Sequence, residues 1–215
     1  MIEKIITEDK EITLIGTAHV FKESVDEVKD VILSEKPEAV CIELDIKRYY
    51  GLLTGQRMSF VDIVKMKGIK FGIIAGFLEY IERKIGEDMG IFPGKEMITA
   101  AQYCKDINAR VYLIDRDAEI TIEKMTKMPF KEKLKLVKTL ILSPFQKEKI
   151  SIDLNKENIE FLINELKKLS PYLYNVLIDE RDQFMAERIK QVEENRIVVV
   201  VGAGHVKGIL KRITF

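Results

Sequence analysis

The chain has 215 residues, 47% of them hydrophobic and 33% charged, with 5 Pro and 12 Gly. That length suits one domain, 1–215, and the composition excludes collagen-like, mucin-like and wholly disordered classes. Lys+Arg and Asp+Glu both number 35, so the formal net charge is 0 and no global field draws the chain to nucleic acid.

Acidic residues interrupt the apolar residues of positions 1–16, so neither a signal peptide nor a basic transit peptide is predicted. The first predicted strand, 12–15, leads into Gly16-Thr17-Ala18-His19. Ser24 and Glu27 then form a capping-box pattern, Val25, Val28 and Ile32 share one helix face, and Pro37 stops the helix. A second strand, 39–44, runs into Glu43, Leu44 and Asp45. Strand, helix and strand in so short a stretch make a βαβ unit, which implies a right-handed crossover and parallel pairing.

Residues 49–95 read as a helical insertion in which Gly68, Gly72 and Gly76 recur every four positions. Their spacing predicts a close-packing stripe, serving as an internal helix crossing or as a homodimer contact, with a turn-permitting loop as the third reading. The apolar run 71–78 is far short of the roughly 18 residues that span a membrane. Pro93 and Gly94 open the next helix, with Glu96 in its first turn and Met97, Ala100, Ala101 and Cys104 on one face. A third strand, 110–114, ends in Asp115-Arg116-Asp117. Residues 121–170 form a second helical insertion, with Ile159, Leu162, Ile163, Leu166 and Leu169 spaced for one face. Glu180-Arg181-Asp182 precedes a helical stripe of Met185, Ile189 and Val192, and the fourth strand, 197–201, leads into Gly202-Ala203-Gly204-His205. The pattern predicts an α/β fold: a mostly parallel central sheet with βαβ units, flanked by helical layers or lids. Cys41 and Cys104 show no CxxC spacing, which predicts reduced thiols and a cytoplasmic setting.

Ionisable residues follow all four predicted strands. In open parallel sheets ligands bind outside the carboxyl edge, where loops converge and helix N-termini point their N–H groups, so these distant residues are expected to meet in one crevice. Both histidines of the chain, His19 and His205, stand in Gly-x-x-His after an apolar strand. Imidazole beside carboxylate suits a divalent metal such as Zn, Mn or Co, whose bound water becomes a nucleophile near neutral pH. The bland reading of each histidine is a helix cap or a donor to a backbone carbonyl. Glu43 is read as a carboxylate at the sheet's mouth rather than a solvated strand end, whereas Glu96 fits either a site or simple complementation of a helix dipole. Arg116 and Arg181, each between two acids, are expected to pair with carboxylates, as clamps on Glu43 or Glu96 or as contacts to an anionic substrate.

The stretches GTAHV with SVDEV, PEAVCIELDIKRY, PGKEMITAA, VYLIDRD with TIEKM, ERDQFMA and VVVVGAGHVKGI together resemble the TraB/PrgY family, in a clan related to Tiki proteases, GumN-like proteins and erythromycin esterase. They run in the family order from Gly16 to Ile209. The resemblance places the family's paired histidines on His19 and His205 and its acidic positions on Glu43, Glu96 and Glu180. It implies a Tiki-like α/β fold and, from some members, metal-dependent peptidase activity on signalling proteins; TraB relatives are linked to shutdown of peptide pheromones. Many microbial relatives resemble this chain but are longer, with a membrane-spanning C-terminal part, so membrane association is expected only of such a longer form.

Two functions follow as expectations. The first is a metal-dependent hydrolase of peptides or proteins, with His19, His205 and Glu43 on the metal, Glu96 or Glu180 handling protons, and Arg116 or Arg181 steadying negative charge. The second is a non-catalytic module that sequesters a peptide or small ligand in the same crevice.

Overall fold

A computed structural model of the chain describes residues 1–7, 9–17, 22–55, 94–142 and 156–214. Five strands form one sheet in the order β1-β2-β5-β3-β4: β1 (Ile2–Ile6), β2 (Glu11–Thr17), β3 (Ala39–Ile42), β4 (Arg110–Leu113) and β5 (Arg196–Gly202). The four predicted strands are all present and pair in parallel. β1 was not expected. It is an antiparallel edge strand on β2, and its IEKII sequence buries Ile5 while Ile6 faces outward. Two central charges at Glu3 and Lys4 obscure its apolar signal, as suits an edge that meets water.

Helices cover both sheet faces, giving three layers. On one side lie α1 (Lys22–Glu35) and α3 (Lys95–Asp106), whose Val28, Ile32, Met97, Ala100, Ala101 and Cys104 pack on Val40, Ile42, Val198 and Val200. On the other lie α8 (Glu180–Lys190) and α9 (Ala203–Ile213), whose Met185, Ala186, Ile189, Val206 and Ile209 meet Leu14, Cys41, Val199 and Val201. The central strands β2, β3 and β5 bury both faces, which is why they read as continuous apolar runs rather than alternations. Helix α1 starts two residues before Ser24, so the predicted capping serine lies inside it, and Glu27 instead pairs with the amino terminus of Met1 at 3.5 Å.

The remaining described helices are α2 (Ile46–Thr54), α4 (Ala118–Thr126), α5 (Phe130–Leu142), α6 (Lys156–Leu169) and α7 (Pro171–Tyr174). The predicted stripe on α6 is half-buried, with Leu166 and Leu169 against a small core of Met125, Met128, Leu136, Leu173 and Val176. Between α7 and α8 the chain makes a π-helical turn, Asn175–Asp179. Gly68, Gly72 and Gly76, and with them the packing-stripe expectation, lie outside the described residues. Among the described residues no helix is long and apolar enough to cross a membrane. Burial pushes the thiol of Cys41 up to about 12 and that of Cys104 up to about 11, so both are core residues without thiolate chemistry near neutral pH.

Candidate functional site at the carboxyl edge of the sheet

The parallel register delivers the polar residues to one edge. Thr17 of β2 lies opposite Gly202 of β5, and the β3 ladder ends where the Glu43 N–H donates to the Val200 carbonyl at 3.1 Å. One residue past its strand, Glu43 turns its carboxylate under the start of α9, where Oε2 accepts from the Gly202 N–H at 2.6 Å. A helix N-terminus favours an anion there, because its first N–H groups lack intrahelical acceptors.

Arg181 faces that carboxylate from α8. Its Nη2 donates to Glu43 Oε1, and Nε and Nη2 together clasp Asp115 at 3.1 and 2.7 Å in a bidentate fork. Asp115 stands just beyond β4 and also takes Arg48 Nη1 at 3.2 Å. Glu43, Asp115 and Arg181 are all buried or nearly so, with side-chain exposures of 6, 3 and 15%. Buried charges of this kind persist only as partners, and the fork geometry of guanidinium suits two carboxylates at once.

His205, in the first turn of α9, completes the cluster. Its Nε2 lies 3.3 Å from Glu43 Oε1 and 3.1 Å from Arg181 Nη1, while Nδ1 is 2.6 Å from Asp182 Oδ1. Burial alone pushes the imidazole's pKa down, but Glu43 and Asp182 outweigh it and carry the value up to about 9. Burial also pushes the Asp182 carboxyl up. Both directions keep one proton within the His205–Asp182 pair. With that proton in place the three carboxylates Glu43, Asp115 and Asp182 face three cations, Arg181, Arg48 and His205, and the cluster is electrically balanced.

Glu96 reaches the same edge from another side. Its helix, α3, starts after Gly94, whose φ of 92° is a left-handed conformation that favours glycine. The buried Glu96 accepts from Thr17 Oγ1 at 3.5 Å, and Thr17 is the register partner of the Gly202 that holds Glu43. Asp45 caps α2 through Oδ1, which accepts from the N–H groups of Lys47 and Arg48; among the described residues its buried Oδ2 has no hydrogen-bond partner.

Glu180 and Arg116 form a neighbouring cluster of their own. Arg116 Nη1 donates to Glu180 Oε2 at 2.7 Å, Nη2 to the Val176 carbonyl at 2.6 Å, and Nε to Thr121 Oγ1 at 2.9 Å. Lys124 and Asn175 also donate to Glu180. Burial pushes the Glu180 carboxyl up, yet Arg116 and Lys124 outweigh it and hold it below the usual carboxylate range. The π turn matters here, because its widened hydrogen bonding leaves carbonyls for arginines: Val176 O takes Arg116 and Leu177 O takes Arg181 at 3.3 Å.

Of the residues singled out from sequence, Glu43, Arg181 and His205 are in mutual contact, Glu96 lies beside them through Thr17, and Glu180 with Arg116 bond to one another. His19 lies outside the described residues, two positions beyond Thr17. Sequence reasoning did not single out Asp182 for the site. The signal available was its place as the third residue of the acid-Arg-acid triplet, which does not say which acid meets the histidine.

The donor chemistry can be compared with that of a metal centre. Two ligands bound tetrahedrally to one ion at 2.0–2.2 Å are separated by roughly 3.4 Å, and Glu43 Oε1 and His205 Nε2 are 3.3 Å apart. The pair therefore fits in type and spacing. The Arg181 guanidinium touches both atoms, so a divalent ion and Arg181 would compete for them. Among the described residues no group of three or more His, Cys, Asp or Glu is arranged to hold a metal ion.

Comparison with known proteins adds the ancestry. The profile of the TraB/PrgY/gumN family matches residues 1–214. An uncharacterized protein of Methanocaldococcus jannaschii is 42% identical over 212 residues, covering 94% of this chain and 53% of the relative. TraB domain-containing proteins of Mus musculus and Homo sapiens are each 24% identical over 243 residues, covering 98% of this chain and 65% of theirs. The chain thus spans between about half and two-thirds of the length of these curated relatives.

Proposed function

The chain belongs to the TraB/PrgY/gumN family, and on that premise we propose that it is a metal-dependent hydrolase domain acting on peptide bonds of signalling peptides or proteins in the crevice at the carboxyl edge of the sheet. The observation that carries the reading is the shared Glu43 carboxylate, bonded at once to Arg181, His205 and the N–H of Gly202. Glu43, His205 and His19 are the residues that would hold a Mn, Co or Zn ion, which when bound lowers the pKa of a water enough to make it a nucleophile near neutral pH. With Nδ1 taken by Asp182, Nε2 is the His205 nitrogen that would face that ion. Arg181 bonds Glu43 and places positive charge where a carbonyl oxygen would become negative. Glu96 is the better proton carrier of the two remaining glutamates, because Glu180 is held ionised by Arg116 and Lys124.

The test is turnover of a peptide library by the purified chain with Mn, Co or Zn added, beside Glu43→Gln and His205→Ala. Turnover lost in both variants is expected. One observation favours a sequestering module instead: Arg181 already donates to Glu43, Asp115 and the Leu177 carbonyl, which leaves its charge committed within the protein. Peptide binding without turnover under every metal would establish that second reading.

A further inference from the structure

We propose that Asp182 is a positioning residue for His205, seated in a notch made by Gly208, so that Nδ1 is held and Nε2 is the nitrogen presented to Glu43. The role rests on reading His205 as the reactive histidine of the crevice. Its geometric basis lies in how α8 meets α9. Asp182 projects from α8, is 2% exposed, and reaches His205 Nδ1 at 2.6 Å. It gets there by entering the surface of α9 three residues beyond His205. A Cβ at Gly208 would stand 1.8 Å from Asp182 Oδ2 and 2.6 Å from its Cγ, so any other residue there would evict the carboxylate. Glycine inside a helix costs about 1 kcal/mol relative to alanine, and this glycine is followed by further helix rather than ending it. Its backbone is held as well: the Gly208 carbonyl accepts from Arg212 Nη1 at 2.9 Å, and Arg212 Nη2 bonds Asp179 at 2.8 Å.

The consequence is chemical. A carboxylate accepts only, so a ring nitrogen at 2.6 Å from it must carry the proton. With Nδ1–H committed to Asp182, the ring is fixed in orientation, and only Nε2 remains, to donate a proton to Glu43 or to accept from Arg181. A carboxylate behind a working histidine in this way raises its basicity and fixes its tautomer.

The chain has just two histidines, so histidine labelled with nitrogen-15 gives two side-chain spectra, and His19→Ala assigns that of His205. The wild type is expected to show His205 protonated at Nδ1, with a downfield, slowly exchanging proton. Asp182→Asn removes the charge with the shape retained, and Gly208→Ala keeps the carboxylate but blocks its seat; both are expected to shift that proton and hasten its exchange. In the turnover assay both are expected to lower kcat between about 10- and 100-fold with little change in KM. A wild-type Nδ1 without a proton overturns the proposal with no variant needed, as does an unaltered His205 spectrum in both variants. If the wild type turns over no peptide yet holds the Nδ1 proton, the hydrolase reading falls and the positioning role stands.

Discussion

The two ends of the parallel sheet carry the same residue types and use them differently. At the amino edge, Arg110 pairs with Glu194 at 3.0 Å and Arg196 with Glu38 at 3.6 Å, on arginine side chains that are 69% and 53% exposed. Lys36 and Asn108 line the same open hollow, each in the left-handed conformation that ends a helix. At the carboxyl edge, Arg181, Glu43, Asp115, Asp182 and His205 are buried together. Exposed pairs are solvated whether or not they meet, so each is worth about 0–1 kcal/mol. Buried ones lose hydration and must be matched one for one. The difference shows that the chemistry of an edge is set by what covers it: α8 and α9 close over the carboxyl end, and among the described residues nothing comparable closes the other.

The contrast should appear most strongly when one cation is removed from each end. Arg181→Leu leaves Glu43 and Asp115 without their shared counter-charge and should cost about 3–5 kcal/mol, read as a fall in the denaturant midpoint. Arg110→Ala should leave the midpoint almost unmoved in the same measurement, since its exposed pair is solvated with or without its partner. Equal losses would mean that burial does not distinguish the two edges.

Next in size is a pH effect confined to the buried end. The folded pKa of His205, up to about 9, lies above the value near 6.5 of a free imidazole. Its contribution is therefore fully present below about pH 6.5 and is lost as pH rises through about 9. Denaturant midpoints of the wild type should decline over that window, and those of His205→Gln should not; parallel curves would refute the assignment. Glu180 titrates with the opposite sign. Its lowered pKa gives stability present above its ordinary value near 4.5 and lost on acidification below it, an effect that Glu180→Gln should remove.

The smallest effect concerns salt. A double-mutant cycle on Arg110 and Glu194 should give a coupling that fades toward zero as ionic strength is raised from about 0.1 to 1 M. The same cycle on Arg181 and Glu43 should hold most of its value. A salt-resistant coupling at the amino edge would show it to be less open than its exposure implies.

Much of the frame was legible in the chain itself. Four apolar runs, each followed by glycines or ionisable residues, are enough to lay out a parallel sheet with its polar edge, and Glu43, Arg181 and His205 do converge there. What escaped depends on packing between distant segments. The edge strand β1 hides behind Glu3 and Lys4, because a strand with one wet face needs no continuous apolar run. Nothing local reports that Gly208 makes room for Asp182, since the two are 26 positions apart and meet only when α8 lies on α9. Arg116 and Arg181 carry equivalent acidic flanks, yet one joins the central cluster and the other a lateral one, a choice made by which carbonyl each finds.

The π turn at Asn175–Asp179 gives α8 its rotational phase. An α-helix advances about 100° per residue, so deleting a single residue there would turn Arg181 and Asp182 away from β3 and α9 by nearly a third of a circle while leaving their sequence intact. Chain length in this turn, more than residue identity, is what a lineage would have to conserve to keep a guanidinium and a carboxylate aimed at the same histidine, and relatives differing by one residue here would have rewired the crevice without a substitution in it.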